Sequence, residues 1–129
     1  MQNVFLDTNA ALWFMFDPTR LGKNAFRLIS NSPEVCLSAI SIAEVEIKSL
    51  SGKMKFPPLS KELLKETQIE VRDFGASAAM QLARFSGLVG HDAFDRLLLS
   101  HAAAEESVFV TSDSVLLGQN LDFVFDAKS

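Results

Sequence analysis

Four acidic residues stand at points of the chain where their carboxylates can do chemistry together. They are Asp7, Glu44, Asp95 and Asp113. Three of them follow short apolar runs, and Asp95 opens an amphipathic run. In an α/β sheet, side chains in such positions gather outside the carboxyl ends of the strands. Because carboxylates at close range resist ionising together, this pattern predicts a site for a hard divalent cation.

A carboxylate cluster that holds Mg²⁺ or Mn²⁺ suits the hydrolysis of phosphodiesters. Both ions prefer oxygen ligands, and Mg²⁺ takes one or two carboxylates together with water and substrate phosphate. One such ion, or two, can polarise a phosphate and lower the pKa of a bound water. The polar groups of Asn9, Thr111 and Ser112 lie beside the acids in sequence and are suited to orienting them.

Three of the acids also have a purely structural explanation as helix caps. Ser41 and Glu44 fit a capping box, in which the glutamate bonds back to the first amide of a helix. Asp92 is typical of an N-cap three residues before Asp95, and Asp113 can cap a short helix after it. Asp7 ends a predicted central strand with no basic neighbour in sequence, so the sequence indicates no structural role for it.

The elements that must position these acids alternate between strands and helices. Short apolar runs predict strands at residues 3–6, 35–37, 69–72 and 108–111, with an edge strand at 122–125. Helical spacing predicts helices at 10–16, 21–30, 41–50, 61–66, 76–85 and 92–104. The stretch 53–58 has the composition of a loop. This alternation predicts an α/β fold with a parallel sheet of four or five strands, in one domain over residues 1–129.

Composition narrows the function further. Of 129 residues 48% are apolar, so we expect a dense core. A lone cysteine, Cys36, excludes an internal disulfide and a cysteine-rich zinc site, and its apolar neighbours predict a buried residue. Neither a secretory signal nor an apolar run long enough to cross a bilayer occurs, which predicts a cytoplasmic protein with no membrane partner.

The charge distribution leaves two interpretations open. A net charge of −4 argues against a broad cationic groove, although a metal-bound carboxylate cluster would make that count misleading. Five cations can form a local basic rim, or can be scattered lysines and arginines in solvent: Arg20, Lys23, Lys48, Lys53 and Lys55.

Histidines and aromatic residues add little to the predicted chemistry. His91 and His101 are too few for a zinc site with one cysteine. His91 can lie near the acidic site, since Asp92 and Asp95 follow it, but an exposed position at the entry of a helix is favoured. Glycine-rich phosphate loops and serine nucleophile motifs are missing from the sequence. An apolar set can be core or the wall of an exposed groove, with core favoured: Leu12, Trp13, Phe14 and Phe16.

Four segments together resemble the PIN-domain family, and within it the VapC-type toxins of toxin–antitoxin pairs. The first is Phe5-Leu6-Asp7-Thr8-Asn9 with Leu12-Trp13, and the second runs from Leu37 through Glu44 to Lys48. The third is Gly90-His91-Asp92-Ala93-Phe94-Asp95-Arg96-Leu97-Leu98, and the fourth is Val110-Thr111-Ser112-Asp113. Their order and intervals across nearly the whole chain make the resemblance specific.

The resemblance implies a three-layer α/β/α fold and an endoribonuclease that depends on Mg²⁺ or Mn²⁺. By position, Asp7 and Asp95 would be the principal metal ligands, and Glu44 and Asp113 would complete the acidic catalytic site through water or a second ion. Asn9 and Thr111 would help to shape the site, with Asp92 at its periphery. The family also implies a homodimer and a cognate antitoxin protein that lies along the groove near the acids.

Three other functions compete with the ribonuclease. A phosphoacceptor signalling domain needs an acidic pair after the first strand and a lysine after the last long strand, and neither is present. An aspartyl phosphatase needs a second aspartate where Asn9 stands. The alternative retained is a catalytically silent PIN-like module that binds a partner, which predicts that acids are missing or replaced.

Overall fold

Five short strands form one parallel sheet at the centre of the molecule. The structure, a computed structural model, describes residues 2–55 and 57–129. The strand order is β3-β2-β1-β4-β5, so the first strand is central, as predicted. All four neighbouring pairs are parallel. The strands are β1 (Val4–Leu6), β2 (Val35–Ser38), β3 (Ile69–Arg72), β4 (Val108–Thr111) and β5 (Val124–Asp126).

Helices cover both faces of the sheet, which gives the predicted α/β/α layers. Successive residues of β1 point to opposite faces: Val4 and Leu6 belong to one core cluster and Phe5 to another. Because both faces are buried, the three central strands β1, β2 and β4 are apolar without alternation, whereas the edge strand β3 alternates apolar residues with Glu70 and Arg72. The helices are α1 (Thr8–Phe16), α2 (Lys23–Ser30), α3 (Ala39–Leu50), α4 (Lys61–Glu66), α5 (Ala76–Met80), α6 (Ala93–Ala104) and α7 (Ser114–Leu117), with 3₁₀ segments at Pro18–Arg20 and Gln81–Leu88.

Several local predictions are confirmed. Ser60, whose residue type and place before the helix predicted at 61–66 are typical of an N-cap, caps α4: its side chain accepts a hydrogen bond from the amide of Leu63. Cys36 is buried. Leu12 and Trp13 are buried, and Phe14 and Phe16 pack partly buried against the same core, as the core interpretation expects.

Other predictions are wrong at helix boundaries. The helix predicted at 76–85 ends at Met80 and continues as a 3₁₀ segment, with non-helical dihedral angles at Phe85. The helical spacing of Ile42 and Val45 allows Leu50 to face inward as well, but Leu50 is 87% exposed at the end of α3. In the predicted loop 53–58, Phe56 lies outside the described residues, and the described residues of that stretch have no regular secondary structure.

Within residues 2–55 and 57–129, no helix combines the length and apolar character needed to cross a bilayer.

Candidate active site

The carboxyl edge of the sheet gathers all four predicted acids around one cavity of about 380 Å³. Parallel pairing places the carboxyl ends of β1 and β4 side by side, so the segments that follow them meet. Two helices, α3 and α6, bring the other two acids. We call this cavity the acidic cleft; its lining residues are Asp7, Asn9, Glu44, Lys48, His91, Asp92, Asp95, Ser112 and Asp113.

Asp7 has a structural role that the sequence did not indicate. It is the N-cap of α1, and its Oδ1 accepts a hydrogen bond of 2.7 Å from the amide of Ala10. The hydroxyl of Thr111 donates to its Oδ2 at 2.6 Å. Helix α1 therefore begins at Thr8 and not at residue 10, because an aspartate after a strand supplies the acceptor that the first helical amides need. The expectation that Asp7 lacks a structural explanation is wrong.

The effect of these hydrogen bonds on the pKa of Asp7 is smaller than the effect of its burial. Burial raises the pKa of Asp7 to about 6, although the hydrogen bonds from Thr111 and Ala10 act in the opposite direction. The charges of Glu44 and Asp113 raise it further. A cap of this kind is costly to keep ionised, which distinguishes Asp7 from an ordinary surface N-cap.

Glu44 is not part of a capping box. Helix α3 begins at Ala39, and its N-cap is Ser38, whose hydroxyl accepts from the amide of Ile40. Since β2 runs directly into α3 at Ser38, the helix starts earlier than the capping-box interpretation of Ser41 assumed. Glu44 therefore lies in the second turn, buried and facing the cleft.

Both oxygens of Glu44 already have partners. The hydroxyl of Thr8 lies 2.6 Å from Oε1 and 2.9 Å from the hydroxyl of Ser41, so its single proton serves the carboxylate while Ser41 donates to Thr8. The ammonium of Lys48 donates to Oε2 at 2.5 Å, and this bond raises the pKa of Lys48. The i,i+4 spacing of Glu44 and Lys48 was a signal for this pair.

Asp95 lies in the first turn of α6, beneath the cap that the sequence predicted. The side chain of Asp92 accepts from the amide of Asp95 at 3.2 Å, which confirms Asp92 as the N-cap. Burial raises the pKa of Asp95 to about 7, and the charges of Asp113, Asp92 and Asp7 add to the effect. Carboxylates are packed here more densely than their charges favour.

Asp113 caps α7, as predicted. One of its oxygens, Oδ1, accepts from the amides of Val115 and Leu116 at 2.9 and 3.0 Å. The other oxygen, Oδ2, lies 3.4 Å from Nε2 of His91. Asp113 thus combines a local role with a place in the acidic cleft.

His91 lies in the acidic cleft, the less favoured of its two predicted positions. Its side chain is only 20% exposed, and Nε2 lies 3.2 Å from Oδ2 of Asp95, so the expected exposed histidine is wrong. Among the described residues, Nε2 has no hydrogen-bond partner despite its contacts with Asp95 and Asp113, and it is shielded from solvent. The four-residue spacing between His91 and Asp95 was the available signal, although Gly90 and Asp92 suggested a turn instead.

The donors of the acidic cleft fit a divalent cation. One atom each from His91, Asp95 and Asp113 lies within 4.8 Å of the others. Carboxylate oxygens suit Mg²⁺ and Mn²⁺, and a neutral imidazole nitrogen is an additional ligand that Mn²⁺ accepts. A cation at this position would use the unpartnered nitrogen and would offset the repulsion that raises the pKa of Asp95.

Comparison with models of protein families identifies the kind of domain. A family model described as PIN domain matches residues 4–117. None of the curated proteins matches the chain.

Solved structures with similar folds come from toxin–antitoxin complexes. A chain of DNA-bound VapBC from Salmonella typhimurium has a TM-score of 0.64 at 19% identity, and the match covers 98% of both chains. VapBC2 from Rickettsia felis, bound to a promoter DNA fragment, has a TM-score of 0.62 at 21% identity over 96% of this chain and 98% of that one. VapBC-1 from nontypeable Haemophilus influenzae has a TM-score of 0.63 at 16% identity over 98% and 97%.

Proposed function

The chain belongs to the PIN-domain family, and from that premise we propose that it is a metal-dependent endoribonuclease, the toxin of a toxin–antitoxin pair. One observation carries the proposal: Asp7, Glu44, Asp95 and Asp113 line a single cleft at the carboxyl edge of the sheet. The four carboxylates occupy the positions that the resemblance to VapC-type toxins assigns to the acidic site.

In this proposal Asp7 and Asp95 are the principal ligands of Mg²⁺ or Mn²⁺. Asp113 holds a second ion or a water, and His91 adds a nitrogen ligand beside it. Glu44 acts through water, because its charge is already paired with the ammonium of Lys48, whereas the oxygens of Asp7 accept hydrogen bonds only from neutral groups. When bound, the cation would supply a Lewis acid that polarises the scissile phosphate and lowers the pKa of a water.

The surrounding polar groups hold the acids in place. Thr111 and the amide of Ala10 fix the two oxygens of Asp7, so this carboxylate cannot rotate away from the cleft. Asn9 lines the cleft and is exposed, where its amide can contact the substrate backbone. Asp92 stays at the periphery, since its side chain caps α6.

The proposed role as a toxin is supported by the complexes from which the similar structures come. VapBC complexes are assemblies of a toxin with its antitoxin, and the fold of this chain matches theirs over nearly its full length. We infer a cognate antitoxin that covers the acidic cleft, a homodimer, and action in the cytoplasm, where RNA is available. The silent-module alternative has no support from the acids, because all four are present.

A cleavage assay tests the proposal. Purified protein, freed of any bound antitoxin, is incubated with structured RNA in Mg²⁺, in Mn²⁺ and in EDTA. We expect cleavage with either ion and none in EDTA, and Asp7→Asn should abolish it. Cleavage that persists in EDTA would contradict metal dependence, and equal cleavage by the variant would contradict the site.

A further inference from the structure

A second cavity, of about 360 Å³, adjoins the acidic cleft, and the two share Asn9. We call it the basic pocket; it is lined by Asn9, Leu12, Trp13, Arg20, Lys53, Met54 and Lys55. We propose that the basic pocket binds the single-stranded RNA segment next to the scissile phosphate. This inference rests on the proposed nuclease function and assigns the path by which its substrate reaches the acids.

The cations of the basic pocket are available for phosphates. Arg20, Lys53 and Lys55 are exposed, and none of the ion pairs among the described residues engages them. The lysine of the acidic cleft, Lys48, is already paired with Glu44. Since the cleft itself is anionic, a polyanion needs positive charge beside it to approach. The basic pocket supplies three such charges next to the cleft.

The two lysines are held at the pocket wall by the way α3 ends. The amide of Lys53 donates to the carbonyl of Lys48 and that of Gly52 to Ser49, at 2.9 and 3.1 Å. This is a Schellman motif, and it requires the positive φ of +75° that Gly52 adopts. Met54 then packs against the core. Lys53 and Lys55 flank Met54 in the chain, so the packing of Met54 fixes the backbone of both lysines at the wall of the pocket.

Arg20 and Trp13 form a surface for a base. The guanidinium carbon of Arg20 lies 4.7 Å from the centroid of the Trp13 ring. Trp13 is 7% exposed, so the ring supports one side of the guanidinium while the other side is open to solvent. Unpaired RNA bases stack on guanidinium planes of this kind. Because Arg20 lies over the Trp13 ring and forms none of the ion pairs among the described residues, this surface favours the binding of single-stranded RNA over that of an apolar peptide.

The helix connects this surface to the acids. Asn9, Leu12 and Trp13 are three and four residues apart on α1, and therefore share one face of the helix. Asn9 is the residue of that face that also lines the acidic cleft. An RNA strand that follows the face passes from Arg20, over Asn9, to the acids.

A salt titration tests the basic pocket. Fluorescein-labelled single-stranded RNA is bound to protein carrying Asp95→Asn, which suppresses cleavage, in Mg²⁺ at several KCl concentrations. We expect Lys53→Gln/Lys55→Gln to weaken binding about tenfold at low salt and to reduce the slope of log K against log [KCl] by about 1.4, two phosphate contacts at about 0.7 each. Trp13 is the chain's one tryptophan, so its fluorescence should change on binding.

A matched double variant controls for the loss of charge. Lys65 and Arg84 are exposed and lie toward the edge where the strands begin: Lys65 precedes β3, and Arg84 lines a cavity with Gln2 and Ser107. Lys65→Gln/Arg84→Gln removes the same two charges and should leave the slope unchanged. Equal effects of the two double variants would overturn the proposal. So would a Trp13 signal that responds to an acidic peptide and not to RNA.

Cleavage by the protein without Asp95→Asn, measured in parallel, separates this proposal from the nuclease. Cleavage of RNA together with an unchanged slope would overturn the basic pocket and leave the nuclease standing. The expected slopes without any cleavage would support the pocket as an RNA-binding site and count against the nuclease alone.

Discussion

Two groups of carboxylates in this molecule are neutralised differently. At the surface, Arg72 pairs with Glu34 at 2.5 Å and lies 3.9 Å from Glu70. These two glutamates are 38% and 52% exposed. In the acidic cleft, five carboxylates share one lysine and one histidine, and the side chains of Asp95 and Asp113 are 22% and 25% exposed.

The difference shows which acids the fold itself explains. Water and an arginine stabilise the surface group. The pKa of Glu70 is raised there too, but by a hydrogen bond to Glu34 and by the charge of that neighbour, while the side chain stays exposed. In the cleft, burial is the largest cause of the raised pKa values of Asp7 and Asp95, so burial there disfavours their charged forms. Concentrated buried carboxylates with too few cations are therefore the sign of a functional site. Four experiments test whether the two groups of carboxylates differ in this way.

The largest expected effect is on activity. Asp95→Asn should lower the rate of RNA cleavage at least about a hundredfold, because it removes a charge that the proposed site needs in the transition state. Glu70→Gln removes the same charge from the surface group and should leave the rate unchanged. Initial rates on one RNA substrate measure both. A comparable loss of rate in Glu70→Gln and Asp95→Asn would mean that the acidic cleft is no more important for activity than the surface group.

The second effect is on stability as pH changes without metal. The folded pKa values of Asp7 and Asp95, about 6 and about 7, lie above the ordinary value of 3.8. The folded state thus holds these protons more tightly, and the stability they contribute is complete below about pH 4 and lost as pH rises through 6 to 7. For Asp7 alone the change is roughly 3 kcal/mol.

Urea unfolding in EDTA measures this loss. The quantity compared is the difference in free energy of unfolding between the original chain and Asp7→Asn, at pH 4.5 and at pH 8. The variant should be relatively more stable at the higher pH, and added Mg²⁺ should remove its advantage. A difference that does not vary with pH would mean that Asp7 is not destabilised by burial.

The third effect concerns His91. His91→Gln should weaken Mn²⁺ binding about tenfold, the lower end of what loss of a group beside a metal site costs. The control is His101→Gln, since His101 is buried against Ser38 on another part of α6. Titration calorimetry with Mn²⁺ measures both affinities. Unchanged affinity in His91→Gln would remove His91 from the ligand set.

The smallest effect is the difference in stability lost when each of two ion pairs is broken. Lys48→Met leaves the buried carboxylate of Glu44 without its cation and should destabilise the fold by about 2 kcal/mol. Glu34→Gln breaks the exposed pair with Arg72 and should cost no more than about 1 kcal/mol. Urea unfolding at pH 7 compares them. Equal losses would mean that burial does not separate the two groups.

Much of the fold could be predicted from local sequence. Apolar strands that alternate with helical spacing indicate a parallel sheet covered on both sides, because such strands have no solvent face. The caps at Ser60, Asp92 and Asp113 were also predictable, since each accepts a hydrogen bond from an amide two or three residues away. The extent of a single domain and the roles of the site residues stay predictions.

Local sequence patterns predicted the wrong first residue for two helices, α3 and α1. Ser38 and Ser41 are equally good helix caps by type, and only the passage of β2 into α3 selects Ser38. Helical spacing predicts a helix that begins at residue 10 and so indicates no structural role for Asp7, whereas α1 begins at Thr8 with Asp7 as its N-cap. In both cases the position of the preceding strand decided where the helix begins.

Local sequence patterns are enough to predict a parallel sheet and to identify four acids at one of its edges. How those acids are held depends on contacts between distant segments. The hydroxyl of Thr8 reaches Glu44 across 36 residues, and that of Thr111 reaches Asp7 across 104. The tertiary structure also places the side chain of His91 in the cleft and the basic pocket next to it. Burial and charge at these atoms depend on segments far apart in the chain, and no local pattern contains that information.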